Sequence, residues 1–282
     1  MLKGLILAAA VSESWKGALT QEGLSWIELN NKDTKDFLQA LDRLQAERQE
    51  VLCLVETDRE EQIALKLGLF CVGYLNPEYT KERLSGCRVL LEGLEEADKR
   101  FFCQVHRRAL GLPLQIAETK RLLIREMTTE DLDAVRALYQ EEERPGFFPE
   151  FSPDRAREEE RITAYIHSMY ELYQFGIWVV IEKESKKIVG RVGFGIADYM
   201  GVSEIDLGYF IETSCRRRGY AKEACLAVLD YAQKYLDFPG LSAYVDTDNL
   251  PSLGLLEKLG FVREQEFLYQ GRRLYRYLYG KD

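Results

Sequence analysis

Histidine is scarce in this chain of 282 residues: there are two, His106 and His167. A Ser-His-Asp or Cys-His arrangement would have to use one of them. Neither stands in a nucleophile context, and both read as polar positions on helices. Long apolar runs are missing as well. No stretch approaches the ~18 residues that a membrane helix needs. The run near the start, "LILAAA", reads as a buried first strand rather than as the core of a signal peptide. The six cysteines, Cys53, Cys71, Cys87, Cys103, Cys215 and Cys225, form no Cys-x-x-Cys pair. Most lie in apolar runs such as "VLCLV" and "LFCVGY", as buried free thiols in a reducing cytoplasm would. Cys103-x-x-His106 has ligand-like spacing but no companion pair, so no metal site is expected. A basic excess is also lacking. The net charge is −9, which argues against a nucleic-acid partner, and no membrane partner is expected either.

What is present is ordinary soluble composition, 46% hydrophobic and 30% charged, in a chain long enough for two domains. The pattern divides near "GLPLQIAETKRLLIREM". There Gly111 and Pro113 follow one helical stretch, and an apolar strand begins at Arg121. Residues 1–118 alternate apolar strands ("VLCLVET", "LFCVGYL", "RVLLEG") with helical segments ("DREEQIALKLG", "LEEADKRFFCQVHRRALG"). This order predicts a Rossmann-like parallel α/β domain. Residues 119–282 predict a mixed-sheet α/β domain. A strand and two helical stretches precede a three-strand meander, then a helix over 219–236, a strand, a helix over 250–259 and two final strands.

The segment "CRRRGYAKEA" stands at the start of the 219–236 helix. Three arginines crowd a helix end whose dipole disfavours cations. Either they face solvent, or an anion is bound there. Gly219 can adopt backbone angles closed to other residues, and the first-turn N–H groups beyond it have no helical partner. Such a turn suits a pyrophosphate, and a solvated basic turn is the alternative reading.

"RRRGYA" resembles the Gln/Arg-x-x-Gly-x-Gly/Ala pattern of the GCN5-related N-acetyltransferases (GNAT), with Arg216, Gly219 and Ala221 at its fixed positions. "DNLPSLGLLEKLGF" resembles a later Asn-x-x-Ser…Glu-Lys-x-Gly-Phe segment of the same family. The resemblance covers about 119–282 and lies nearest the ribosomal-protein N-acetyltransferase branch. It implies a GNAT fold that lays acetyl-CoA between two splayed strands. Phe210 and Ile211 would offer main-chain groups to the pantetheine arm. Arg216, Arg217, Arg218, Gly219, Tyr220 and Ala221 would cradle the pyrophosphate. Asn249 would bond the pantetheine region, and Ser252 would sit near the thioester sulfur. An arginine cluster answers the cofactor's phosphates.

The reaction implied is direct acetyl transfer to a primary amine of a small molecule or a protein N-terminus. The amine must lose a proton before it attacks. Glu204 and Asp206, two apart on one strand and so on one face, are the candidate bases. They read equally as ordinary polar positions. Many family members carry a Tyr as acid where this chain has Leu256, and Ser252 is a weak substitute. Phe147, Phe148 and Phe151 either line an acceptor pocket or plug the core. The acidic runs 141–143 and 158–160 either attract a cationic amine or are solvated helix faces. A non-catalytic acyl-CoA sensor is the alternative function, and a homodimer is one oligomeric state the sequence leaves open.

In the first part, "LVETDREEQIALKLGLFCVGYLNP" and "GCRVLLEGLEEAD" resemble part of the haloacid-dehalogenase-like hydrolase fold. No Asp-x-Asp follows the first strand, and Glu56 with Asp58 cannot replace that nucleophile motif. The resemblance therefore implies a non-catalytic domain.

Overall fold

Five short runs, β1 (Gly4–Leu7), β2 (Ser25–Glu28), β3 (Val51–Val55), β4 (Phe70–Tyr74) and β5 (Val89–Leu91), pair in parallel in the order β2-β1-β3-β4-β5. Every residue of β1 and β3 is buried, as expected of a parallel sheet covered on both faces. Alternation sends Ile6, Cys53 and Val55 toward Phe37 of α2 (Thr34–Leu44) and Ala64 of α3 (Asp58–Lys66). It sends Leu5, Leu7, Leu52 and Leu54 toward Leu19 of α1 (Glu13–Gln21) and Phe102 of α4 (Lys99–Ala109). Full burial of each such side chain contributes about 1.5–3 kcal/mol. The computed structural model describes residues 1–78, 81–140, 152, 154–199, 201 and 203–280. The chain divides into two compact units, Met1–Leu114 and Gln115–Asp282.

At the carboxyl ends of β1, β3 and β4 the first unit has a buried polar knot. Glu56, 1% exposed, accepts hydrogen bonds from Ala10 N (3.0 Å), Lys32 Nζ (3.0 Å) and Asn76 Nδ2 (2.9 Å). Lys32 also pairs with Glu60 at 3.0 Å. The crevice end of the sheet is thus closed by its own side chains. Glu56→Ala removes one charge of a buried, hydrogen-bonded pair and strands three donors. We expect it to lower the stability of this unit by about 3 kcal/mol. Urea unfolding followed by Trp15 and Trp26 fluorescence would check this.

The second unit is an eight-stranded sheet, in the order β12-β13-β11-β10-β9-β8-β7-β6. Its strands are β6 (Gln115–Glu118), β7 (Leu122–Arg125), β8 (Ile177–Glu182), β9 (Ile188–Asp198), β10 (Ser203–Ile211), β11 (Leu241–Asp246), β12 (Phe261–Tyr269) and β13 (Arg272–Tyr279). β6 pairs with β7, so this sheet begins upstream of the expected division at 119. The first helical stretch is a 3₁₀ turn followed by α5 (Leu132–Gln140). The second is α6 (Arg155–Tyr165), which passes into a π-helical segment, Ile166–Leu172. The strands β6 to β10 run antiparallel, and α7 (Tyr220–Tyr235) carries the chain to the parallel strand β11. Then α8 (Leu250–Lys258) leads into the β12–β13 hairpin. One face of α7 packs Ala224, Cys225, Val228, Leu229 and Ala232 into the core with Leu207, Ala243 and Leu256. Among the described residues, no helix is long and apolar enough to cross a membrane.

Candidate active site

β10 is fully paired with β9 from Ser203 to Ile211, but with β11 it shares one register position, Asp206 opposite Ser242. Beyond that bridge the two parallel strands part. Ser242 Oγ donates to the Ile205 carbonyl at 3.1 Å, so odd-numbered residues of β10 turn their main-chain groups toward β11. Glu212 N donates to Val189 O at 2.9 Å, so even-numbered ones face β9. The open edge is therefore carried by the main chain of Leu207, Tyr209 and Ile211. This corrects the expectation for Phe210, whose main chain faces β9, where it pairs with Arg191. The Phe210 ring lies on the other side of the sheet, 5.0 Å from Tyr139 of α5.

The parted strands lead to the turn 216–219. Gly219, at φ +79°, is the residue before α7 and offers no side-chain cap. By contrast α1, α2, α3, α4, α6 and α8 are each capped by a Ser, Asp, Thr or Asn side chain. Arg217 is also left-handed, at φ +62°. Arg216, Arg217 and Arg218 are exposed. Arg216 folds back, its Nε donating to the Ile211 carbonyl at 3.0 Å and its guanidinium lying 5.4 Å from the Phe210 ring. Three exposed arginines thus meet a helix start that no side chain caps, where first-turn N–H groups lack a helical partner.

Sequence reading missed what holds this turn. Arg121, just before β7, donates from Nη1 to the Arg218 carbonyl (2.8 Å) and from Nε to Glu223 (2.7 Å). It also lies 4.5 Å over the Tyr220 ring. Thr119 Oγ1 donates to Glu223 at 2.6 Å. Burial disfavours the charge of Glu223, but the bonds from Thr119 and Arg121 outweigh it and hold the carboxyl below the usual range. Tyr220 donates to Glu182 of β8. The only sequence signal was a lone Arg opening an apolar strand. Arg121→Ala should weaken cofactor binding about tenfold by loosening the turn, at the scale of one charge-assisted hydrogen bond. Calorimetric titration with CoA would measure it.

The two carboxylates of β10 are unlike. Glu204 is tied to Arg276, whose Nε donates at 3.0 Å, and to Tyr244 Oη at 2.5 Å. The Arg276 bond leads in holding it below the usual carboxylate range. Asp206 has no basic partner among the described residues. Burial pushes its carboxyl up to about 6, and the Glu204 charge adds to this. Gly195 on β9 leaves it room, since a Cβ there would come 2.9 Å from Asp206 Oδ1. Tyr199, Tyr244, Phe267 and Tyr269 share this sheet face, Tyr199 standing 4.3 Å from Tyr244 and 4.8 Å from Tyr269.

On the opposite face, Asn249 caps α8, its Oδ1 accepting from Ser252 N at 3.3 Å. The Ser252 carbonyl accepts from Tyr209 Oη at 3.3 Å. Leu256 is fully buried in the core. His106 is buried and bonds Gln49 O at 2.7 Å, and burial lowers its pKa; His167 pairs with Glu171. In the run 158–160, Glu158 accepts from Ser152 N and pairs with Arg161, and Glu159 pairs with Arg155. Two of its three charges thus have partners of their own. Phe147, Phe148, Phe151 and the run 141–143 lie outside the described residues.

A mixed sheet that parts over the bare N-terminus of its crossover helix is built to hold an extended, phosphate-bearing cosubstrate. Residues 121–262 match the family described as acetyltransferase (GNAT) domain, and the chain belongs to the GNAT family of N-acetyltransferases. Enzymes of this family use acyl-CoA. The chain is 31% identical over 162 residues to the uncharacterized N-acetyltransferase YoaA of Bacillus subtilis, covering 55% of this chain and 89% of that protein. A solved chain from Bordetella pertussis assigned to the GnaT acetyltransferase family has a TM-score of 0.52 at 20% identity, covering 58% of this chain and 98% of its own. The ribosomal-protein-S5-alanine acetyltransferase of Vibrio fischeri has a TM-score of 0.50 at 18% identity, covering 57% and 94%. These comparisons lend no support to the haloacid-dehalogenase resemblance of the first unit.

Proposed function

We propose that the chain moves an acetyl group from acetyl-CoA directly to a primary amine, with Asp206 as the base. The observation that carries this is the position of Asp206 at the last bridge before the strands part. That is where an arm lying along β10 from the cradle would end. The parted edge supplies main-chain groups for the amides of that arm beyond the bridge, chiefly those of Tyr209, since the Ile211 carbonyl already accepts from Arg216, and Arg216, Arg217, Arg218, Gly219, Tyr220 and Ala221 hold the phosphates. Asp206 is the carboxylate of this face that lacks a cation, so an incoming ammonium is its counterion. With its pKa near 6 it is ionised at neutral pH and can take the amine proton. Nitrogen then attacks the thioester carbonyl, and the carbon–sulfur bond breaks. Glu204, held by Arg276 and Tyr244, shapes the face and is not the base in this reading. Asn249 positions α8 as its cap, and its side-chain N–H₂ would serve the pantetheine region.

The acceptor we infer is a protein or peptide N-terminus, in line with the named substrate of the Vibrio fischeri structure. The cluster of Tyr199, Tyr244 and Tyr269, its rings tilted or edge-on to one another, offers an aromatic wall for the residues after the amine. Thiol release from acetyl-CoA, measured against peptides beginning with Ala or Ser and against free polyamines, tests it. Turnover confined to polyamines would sink the peptide reading, and none across both classes would sink the transfer itself. The first unit is proposed as a non-catalytic partner domain, its crevice end being filled by Glu56, Lys32 and Asn76.

A further inference from the structure

The side chain of Tyr209 takes no part in the proton transfer above, yet its place is specific. It lies on β10 beyond the Asp206–Ser242 bridge, in the part of the strand that β11 no longer pairs. Alternation puts its side chain on the α7–α8 face, opposite Asp206. The phenol reaches across the opening and rests on the carbonyl of Ser252 in the first turn of α8, at 3.3 Å. That bond is long, and its acceptor is a neutral carbonyl, so exchange for a better acceptor costs little. Burial raises the phenol pKa, with Cys225 of α7 and Tyr277 of β13 the ionisable groups facing it. The hydroxyl therefore keeps its proton throughout the working range. One turn further along α8 stands Leu256, buried and without a proton to give.

We propose that Tyr209 is the hydrogen-bond donor to the leaving sulfur, supplied from the β10 wall of the cleft in place of a donor from α8. This rests on the acyl-CoA reading above. As the amine nitrogen bonds to the carbonyl carbon, the carbon–sulfur electron pair passes to sulfur. Asp206 takes one proton from the incoming ammonium before the attack, and the second N–H proton, released as the amide forms, passes to water. The Tyr209 hydroxyl turns from the Ser252 carbonyl to the sulfur and stabilises its charge without giving up its own proton. The thiolate leaves as such and is protonated by water. The phenol acts on charge that appears only during the reaction, which is where a donor accelerates rather than merely binds.

The test needs no acceptor. Free CoA bound to the enzyme carries the product thiol, and its ionisation is read from thiolate ultraviolet absorbance, with the desulfo-CoA complex as blank. A donor aimed at sulfur favours the thiolate. In Tyr209→Phe the bound thiol should therefore ionise at least tenfold less readily, a rise of about one pKa unit, with CoA affinity changed less than threefold. Replacing Tyr209 by 3-fluorotyrosine, a stronger donor of nearly the same size, should shift the thiol the other way. This second variant covers the case in which Tyr209→Phe folds poorly. Equal thiol pKa values in wild type and variants, with CoA still bound, overturn the role of Tyr209 alone. Failure of the wild type to bind CoA overturns the cofactor reading, and this inference with it.

Discussion

Gly219→Asp should abolish measurable CoA binding while leaving the second unit folded. Gly219 stands at φ +79°, and the nearest atom to an added Cβ is Arg121 Nη2 at 3.5 Å, so a side chain has room. Asp tolerates the left-handed region better than most residues, and the strain costs about 1 kcal/mol. The carboxylate would then lie at the mouth of an uncapped helix, where it competes with the pyrophosphate for the same N–H groups and repels its charge. A loss of roughly 100-fold or more in affinity is expected from the combined removal of several charge-assisted bonds. Gly219→Ala separates the contributions: it carries the strain without the charge and should lose far less. Calorimetry that finds Gly219→Asp within threefold of wild type would place the phosphates elsewhere.

The second large effect concerns Asp206. Asp206→Asn should lower the rate of acetyl transfer by roughly 100- to 1,000-fold, within the lower part of the range that a positioned base contributes. It should also remove the rise in rate with pH expected of the wild type near 6, where burial places the ionisation of this carboxyl. The same substitution should stabilise the fold at neutral pH. The folded pKa lies above the unfolded value of about 3.9, so the native state binds more protons between pH 4 and 6, and stability falls as pH rises through that window. An amide carries no such cost, and a gain of up to about 3 kcal/mol at pH 7 is expected. A variant that is more stable yet nearly inactive would mark a residue kept ionised for chemistry. If activity and its pH profile are unchanged, the base lies elsewhere.

Much of this could be read in the sequence because it is written in local chemistry. The helix expected over 219–236 is α7, its apolar spacing of three and four being what a sheet demands of a covering helix. The buried strands β1 and β3 announce themselves as unbroken apolar runs. The turn at Gly219 was legible as a helix start because Gly is common at an N-cap and the apolar spacing of α7 begins just after it. The strand Gln115–Glu118 was not legible, since an edge strand of four residues, only Ile116 and Ala117 of them apolar, has too short a pattern to read. Nor was the difference between Glu204 and Asp206. Their shared face follows from spacing. That Glu204 meets Arg276, 72 residues away, while Asp206 lies over Gly195 depends on strands brought together only by the fold. The part of Tyr209 was hidden for the same reason: its partner on α8 is 43 residues on. The main-chain alternation that replaces Phe210 by its odd-numbered neighbours depends on one side-chain bond, from Ser242 to Ile205.

That Asp206–Ser242 bridge also marks where the sheet changes how it is held together. On one side lie five strands from β6 to β10, on the other the three strands β11, β13 and β12, and β10 meets β11 at a single register position. The two groups of strands are joined less by backbone hydrogen bonds than by the core beneath them, where Leu207 of β10, Val228 of α7, Ala243 of β11 and Leu256 of α8 belong to one buried cluster. A substitution that opens a cavity in that core would therefore loosen the proposed cleft from a distance, without touching any group that faces the cosubstrate.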